Sequence, residues 1–153
     1  MRRLVPVVLI LLVCGSVLAD QHMEQSLYKR LGGYDAIAAV TDDFIGRMAT
    51  DKALSRFFVG HSKESLGRIR QLVVDQLCAA TGGPCIYIGR DMKSSHQGMG
   101  ISEADWNKAV SHLVATLDKF KVPEKEKGEF LALASTLKAD IVEQKAAAAG
   151  AKP

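Results

Sequence analysis

The sequence lacks the patterns that mark a β-sheet or the common metal and nucleotide sites. None of its 153 residues lie in a segment that alternates apolar and polar positions over the length of a strand, so a half-buried sheet is not predicted. The chain also has no C-x-x-C pair, no H-E-x-x-H, no phosphate-binding glycine loop and no C-x-x-C-H motif. These absences argue against the zinc, nucleotide and covalent-haem sites that such motifs form.

An excess of charge of one sign is also missing. Lys and Arg total 20 and Asp and Glu total 17, for a net charge of +3. Removing residues 1–19 takes away Arg2 and Arg3 and no acidic residue, so the net charge then falls to +1. Proteins that bind nucleic acid carry a pronounced basic surface. We therefore expect no nucleic-acid partner.

The N-terminal apolar run is shorter than a membrane span. It extends from Leu4 to Val13 behind two arginines and is followed by the small Ala19, which is the layout of a secretory signal cleaved before Asp20. A span needs roughly 18 to 20 apolar residues, so a retained anchor is the less favoured alternative. Lipidation of Cys14 is weaker still, because bulky Val13 stands where a small residue is expected. We expect an exported protein, periplasmic or secreted, with a signal at 1–19, one domain at 20–145 and a flexible tail at 146–153.

Only Cys78 and Cys85 remain once the signal is removed. Two cysteines so close together in an exported chain favour a disulfide, although two independent buried thiols are the alternative. The remaining sequence predicts an all-α fold, because apolar residues recur at helical spacing in several segments separated by paired glycines and a proline. The predicted stripes include Ile37, Val40, Phe44 and Met48; Leu66, Ile69, Val73, Leu77 and Ala80; Trp106, Val110, Leu113, Leu117 and Phe120; and Phe130, Ala134, Leu137 and Ile141.

Between these helices the sequence predicts two loops, a short helix and a cap. Val59 to Ser65 is expected to be a loop that contains His61. After a second loop, Asp91 can cap a helix of barely two turns that carries Met92 and His96. Ser102 and Asp105 resemble a capping box at the start of the next long helix. By spacing alone, a lone histidine such as His96 is more often a structural or surface residue than a metal ligand.

Several of these stretches together resemble the truncated haemoglobins of the first group. They are "SLYKRLGGYDAIAAVTDDF", the Phe57-Phe58 pair, "ATGGPCIYIGRDMKSSHQGMGIS" and the two closing helices, over Ser26 to about Val142. The resemblance implies a two-over-two helical globin fold with haem b as cofactor and His96 as the proximal ligand of its iron. A neutral imidazole suits haem iron, and a single protein ligand leaves the opposite side open for a gas.

Haem is a flat apolar body, so the resemblance implies a pocket walled by apolar side chains. The candidates for this wall are Phe44, Phe58, Ile69, Val73, Leu77, Met92 and Trp106. Tyr87 either lines the pocket edge or packs the loop. Arg90 and Lys93 are either partners of the haem propionates or solvated surface charges.

On the distal side the chain departs from the family's best-known pattern. Ile45 stands where many members have tyrosine, and Ile69 and Val73 occupy positions where a polar residue is common. The polar candidates left on this helix are Gln76, which is preferred, and Gln71. His61 is either a second iron ligand or, as favoured here, a surface histidine.

The function implied by the resemblance is reversible binding of O2, with NO or CO as further ligands. The alternative is an NO dioxygenase or peroxidase-like enzyme that depends on an external electron donor, because no reductase domain is attached. A haem-free helical bundle is the third hypothesis, against which His96 and its glycine context argue.

Overall fold

The structure, a computed structural model, describes residues 25–143, and in this range it contains helices and no strands. The predicted all-α class is confirmed. The predicted signal at 1–19 and the tail at 146–153 lie outside the described residues. The helices are α1 (Leu27–Arg30), α2 (Tyr34–Thr50), a short 3-10 helix (Ser55–Phe58), α3 (Lys63–Ala80), α4 (Met92–His96), α5 (Glu103–Lys119), α6 (Glu124–Thr136) and α7 (Lys138–Ile141).

Helix α2 lies at the centre of the fold, in contact with both α3 and α5. Towards α3 it packs Ile37 against Val74 and Cys78, all three fully buried. A second buried cluster joins α2 to α1, α5 and α6 through Leu27, Val40, Leu113, Leu117 and Phe130. The predicted stripes of α2, α5 and α6 thus each contribute residues to the core. In α3 the prediction was wrong by one position, because the fully buried residues are Val74 and Cys78 rather than Val73 and Leu77.

The glycine pairs end helices for two different physical reasons. The φ angles of Gly32, Gly33 and Gly82 are 99°, 82° and 83°. Residues with an L side chain rarely adopt this region of φ. Gly83 is required by space instead. A Cβ atom there would lie 2.5 Å from the Tyr28 ring and 2.7 Å from Cys78 Sγ. The start of the domain thus packs directly on the turn that ends α3.

Two element boundaries differ from the sequence-based prediction. Helix α3 begins at Lys63 rather than after Ser65, because Ser62 caps it by accepting a hydrogen bond from the Ser65 N–H at 3.2 Å. The closing helix is divided at Leu137, whose N–H donates to the Ala134 carbonyl three residues back at 3.1 Å. The tighter turn redirects the chain, so that α7 packs against α4.

The predicted capping box at the start of α5 is confirmed, with Asp105 in the usual place of Glu. The Asp105 carboxylate also accepts a hydrogen bond from the Arg56 guanidinium at 2.7 Å. Arg56 in turn lies 4.2 Å from the centre of the Phe57 ring. This arrangement ties the 3-10 helix to the first turn of α5 across 49 positions of sequence.

Candidate functional site

A cavity of about 360 Å³ opens among α2, the 3-10 helix and α3 to α7. Its volume falls in the range of roughly 300 to 1,000 Å³ that is typical of small-molecule and cofactor sites. Almost every side chain on its wall is apolar. The polar residues that line it are Gln76, Thr81, His96, Asp105 and Thr136.

His96 is the last residue of α4 and lies on the cavity wall. The Asp91 side chain caps this helix by accepting hydrogen bonds from the Ser94 N–H and hydroxyl, each at 2.8 Å. The Nδ1 atom of His96 lies 2.8 Å from the Met92 carbonyl oxygen. Because a carbonyl can only accept, Nδ1 must carry the proton, and in the neutral ring Nε2 keeps its lone pair. This is the tautomer that a metal-binding histidine requires.

The structure brings most of the predicted site residues to this cavity. Those that line it are Phe44, Phe58, Val73, Gln76, Leu77, Met92, His96 and Trp106.

Ile45, Ile69 and Tyr87 are not part of the lining. Ile45 follows Phe44 and so points about 100° away around α2. Ile69 lies one turn before Val73, and the cavity borders the C-terminal half of α3. The Tyr87 hydroxyl donates to the Arg90 carbonyl at 2.6 Å, so this side chain packs its own loop.

Two glutamines of α3 have different surroundings. The Gln71 amide donates to the Tyr34 hydroxyl at 2.8 Å and to Asp75 at 2.9 Å, and Gln71 does not line the cavity. Gln76 does line it, and within residues 25–143 its amide makes no hydrogen bond. Gln76 is therefore the side-chain amide available to a ligand inside the cavity.

His61 lies outside the cavity. It is exposed, and its Nδ1 lies 3.0 Å from the Ser65 hydroxyl. Arg90 and Lys93 are exposed and have no ion-pair partner in the described part of the chain.

Sequence reasoning did not assign several lining residues to the site. The predicted stripes of α2 and of the closing helix contained Met48, Phe130, Ala134, Leu137 and Ile141, but a stripe does not say whether it faces a core or a cavity. Met99 and Ile101 lie in the loop after α4, where no periodicity marks an inward side chain. Asp105 was identified only as a cap.

Asp105 is a charged group in an otherwise apolar wall. Only 6 % of it is exposed, and burial raises the pKa of its carboxyl group. The Ser102 hydroxyl and N–H and the Arg56 guanidinium more than offset this effect and lower the pKa to about 2. The carboxylate is thus ionised at neutral pH, and its Oδ2 atom accepts all three of these hydrogen bonds.

Cys78, at the end of α3, and Cys85, in the following loop, are close together. Their Sγ atoms lie 1.98 Å apart, with 5.7 Å between the Cα atoms. Among residues 25–143 there is no cluster of three or more His, Cys, Asp or Glu side chains that could hold a metal ion. None of the helices in that range is long and apolar enough to cross a membrane.

Comparisons with known proteins agree on the family. The family model described as bacterial-like globin matches residues 26–143. The group 1 truncated hemoglobin GlbN of Mycolicibacterium paratuberculosis is 34% identical over 116 residues, which cover 76% of this chain and 83% of that protein. The GlbN of Synechocystis sp. is 29% identical over 125 residues, or 78% of this chain and 98% of that protein.

Solved structures share the fold. The truncated hemoglobin of Tetrahymena pyriformis in its Fe(III) form gives a TM-score of 0.72 at 24% identity, over 78% of this chain and 100% of that chain. The 2/2 hemoglobin of Synechococcus sp., in the cyanomet state and with covalently attached heme, gives 0.71 at 25% identity over the same shares. The chain therefore belongs to the group 1 truncated haemoglobins, globins whose cofactor is haem with its iron and whose ligand is a diatomic gas.

Proposed function

We propose that this protein reversibly binds O2 at a haem held by His96. The observation that carries the proposal is the position of His96 on an apolar cavity, with Nδ1–H committed to the Met92 carbonyl and Nε2 left free. When bound, haem would supply an iron atom that can bind a diatomic gas.

The residues around His96 fit a flat apolar cofactor. Aromatic side chains from three elements, Phe44, Phe58 and Trp106, lie on the cavity wall together with Met92 and Leu77. Such a wall would remove the apolar faces of the haem from water and would keep water away from His96. Arg90 and Lys93, unpaired within the described residues and next to or on α4, are the candidates to meet the haem carboxylates.

Reversible binding rather than turnover is favoured by the polar groups available on α3. Gln76 supplies an uncharged hydrogen-bond donor. Of the other polar side chains on the wall, Asp105 is already paired with Arg56 and Ser102. The second candidate, NO dioxygenation or peroxidase-like turnover, needs an external electron donor, and no feature of the described residues favours it over binding.

The location proposed for this protein is an exported compartment. The proposal is supported by the N-terminal sequence, with Arg2, Arg3 and Ala19 around an apolar run, and by the proximity of Cys78 and Cys85. Sequencing the N-terminus of the protein from the exported fraction tests it. A mature N-terminus at Asp20 is expected, whereas an intact Met1 in the membrane fraction would contradict cleavage.

Absorption spectra test the binding function. The purified protein is expected to show a Soret band that shifts on reduction with dithionite and again on addition of CO. His96→Ala should lose this band or recover it only with added imidazole. Unchanged ferrous and CO spectra in His96→Ala would overturn the assignment of His96. Consumption of NO or peroxide with a supplied reductant, at rates faster than O2 release, would favour the enzymatic alternative.

A further inference from the structure

Helix α4, which carries His96, is too short for its Asp91 cap and its own hydrogen bonds to hold it in place alone. It has five residues, far fewer than an isolated helix needs in water. The loop behind it contains Gly98 and Gly100, whose φ values are 83° and 64°. Glycine has the widest conformational freedom of all residues. The Met92 carbonyl holds the His96 ring within α4, so contacts from elsewhere must fix the position of the helix itself.

One hydrogen bond from a distant part of the chain reaches this segment. Within the described range, every other hydrogen bond of residues 91–100 joins groups at most five positions apart. The exception is the Gly98 N–H, which donates to the Glu143 carboxylate 45 positions away at 2.5 Å. Gly98 lies two residues after His96.

Glu143 holds the same loop with its main chain. Its N–H donates to the Ile101 carbonyl at 2.9 Å. Glu143 therefore bonds the loop at two positions, Gly98 and Ile101. Helix α7, which leads to Glu143, packs against α4, and its Lys138 pairs with Glu103 of α5 at 2.7 Å. Leu137 and Ile141 line the same cavity as His96.

We propose that Glu143 is a positioning residue for His96. Its carboxylate fixes the Gly98 N–H, and this contact sets the end of α4 and the orientation of the imidazole towards the iron. A hydrogen bond to an ionised acceptor is stronger than a neutral one, and it is the only such tie between this segment and another part of the described chain. The inference rests on the proposed function, since it treats His96 as the iron ligand.

The test compares Glu143→Ala, Glu143→Gln and Lys138→Ala. The alanine variant removes the acceptor, whereas the glutamine variant keeps an amide oxygen that can accept the same N–H. Lys138→Ala is the matched control, because it breaks another contact of α7 and leaves the Gly98 bond intact.

The first measurement uses the haem-free protein. Amide hydrogen exchange at Gly98, followed by NMR, should be about fivefold faster in Glu143→Ala, the factor that corresponds to one net hydrogen bond. Glu143→Gln should lie close to the unaltered protein, and Lys138→Ala should match it.

The second measurement uses the haem-loaded protein. We expect haem transfer to excess apomyoglobin to be about fivefold faster in Glu143→Ala, with a shifted or broadened iron–histidine stretching band in the ferrous Raman spectrum. Glu143→Gln should restore most of both properties. A transfer rate and band unmoved by Glu143→Ala would overturn the proposal, as would equal effects of Lys138→Ala. If the unaltered protein shows no iron–histidine band, the proposed function itself fails. The Gly98 exchange rates of the haem-free protein then still show whether Glu143 holds Gly98, so the two failures can be told apart.

Discussion

At the scale of single residues, the unbonded amide of Gln76 is expected to set how strongly the cavity retains a polar ligand. O2 bound to ferrous haem carries partial negative charge, and a hydrogen bond to a charged group contributes roughly 1.5 to 3 kcal/mol. Since 1.4 kcal/mol corresponds to a factor of ten, Gln76→Leu should speed O2 dissociation by about ten- to a hundredfold. Stopped-flow measurement of O2 release checks this. CO is less polar, and its release should change little.

Gln71→Leu is the control for this prediction. Gln71 lies on the same helix and has the same side chain, but its amide is bonded to Tyr34 and Asp75 outside the cavity. Its O2 dissociation rate should equal that of the unaltered protein. Equal acceleration in both variants would show that α3 was disturbed as a whole and that Gln76 is not the donor.

Sequence reasoning located His96 and Gln76 but did not locate every wall residue. A motif and a helical stripe identify a face of a helix, and this was enough for eight of the candidates. Ile45 was a candidate only through the family resemblance, and it lies outside the lining because it points about 100° around α2 from Phe44. That it occupies the tyrosine's position stays a prediction, which Ile45→Tyr tests. If Ile45 faces the iron, the new hydroxyl should slow O2 release.

At the scale of elements, Asp105 couples the start of α5 to the 3-10 helix. Its pKa is lowered to about 2, below the value of roughly 4 for an ordinary carboxyl group. A group with a lowered folded-state pKa stabilises the fold fully above its unfolded pKa and loses this contribution as pH falls through the folded pKa. The Asp105 contribution should therefore be complete above about pH 4 and disappear towards pH 2.

Replacing Asp105 by Asn should lower the free energy of unfolding at pH 7 by about 1.5 to 3 kcal/mol, the range for a hydrogen bond to a charged group, because the Arg56 guanidinium loses its ionised acceptor. The variant should also lose less stability than the unaltered protein between pH 4 and pH 2. Urea unfolding at several pH values measures both effects. Asp35→Asn is the control, since Asp35 also lies in the first turn of a helix but is exposed. Parallel pH curves for the unaltered protein and Asp105→Asn would contradict the prediction.

The pairing of Cys78 with Cys85 would join the end of α3 to the loop that leads to α4. The chain-entropy model gives a stabilisation of roughly 2 to 3 kcal/mol for so short a loop. Urea unfolding of the oxidised and reduced protein should differ by that amount. Mass spectrometry after alkylation without reductant tests whether the bond forms. Two alkylated thiols in protein from the exported compartment would refute it.

Element boundaries were predictable where a side chain marks them. Asp91, Ser102 and the paired glycines all mark helix ends, because their side chains or backbone freedom satisfy terminal groups. The break at Leu137 has no such mark, since neither glycine nor proline stands there. It accompanies the packing of α7 on α4, a long-range contact that no local sequence signal marks. The hydrogen bond between Gly98 and Glu143 could not be predicted from the sequence either, because it joins residues 45 positions apart.

At the scale of the whole molecule, one buried cluster lies apart from the cavity and the other adjoins it. Ile37, Val74 and Cys78 are buried together and do not line the cavity. In the other cluster Leu27, Val40 and Leu117 do not line it, whereas Leu113 and Phe130 do. In contrast, α4 has no buried residue and α7 has none. The stability of these two short helices therefore depends on their contact with each other and on the haem that occupies the cavity.

Removing haem should consequently lower the local stability of α4, α7 and the loop between α4 and α5, and leave that of the α2–α3 core unchanged. We expect hydrogen exchange in the haem-free protein to be faster in α4, in residues 97–102 and in α7 than in the α2–α3 core, because few buried apolar contacts hold these segments. The bond to Glu143 should still protect the Gly98 N–H itself. Exchange around Ile37 in α2 and Val74 in α3 should remain slow. Haem binds only the folded chain, so loading should raise the thermal midpoint by mass action and slow exchange about tenfold or more in the first group. Hydrogen-exchange mass spectrometry with and without haem measures both. Equal slowing in all helices would contradict this division, because it would mean that the α2–α3 core also depends on the cofactor.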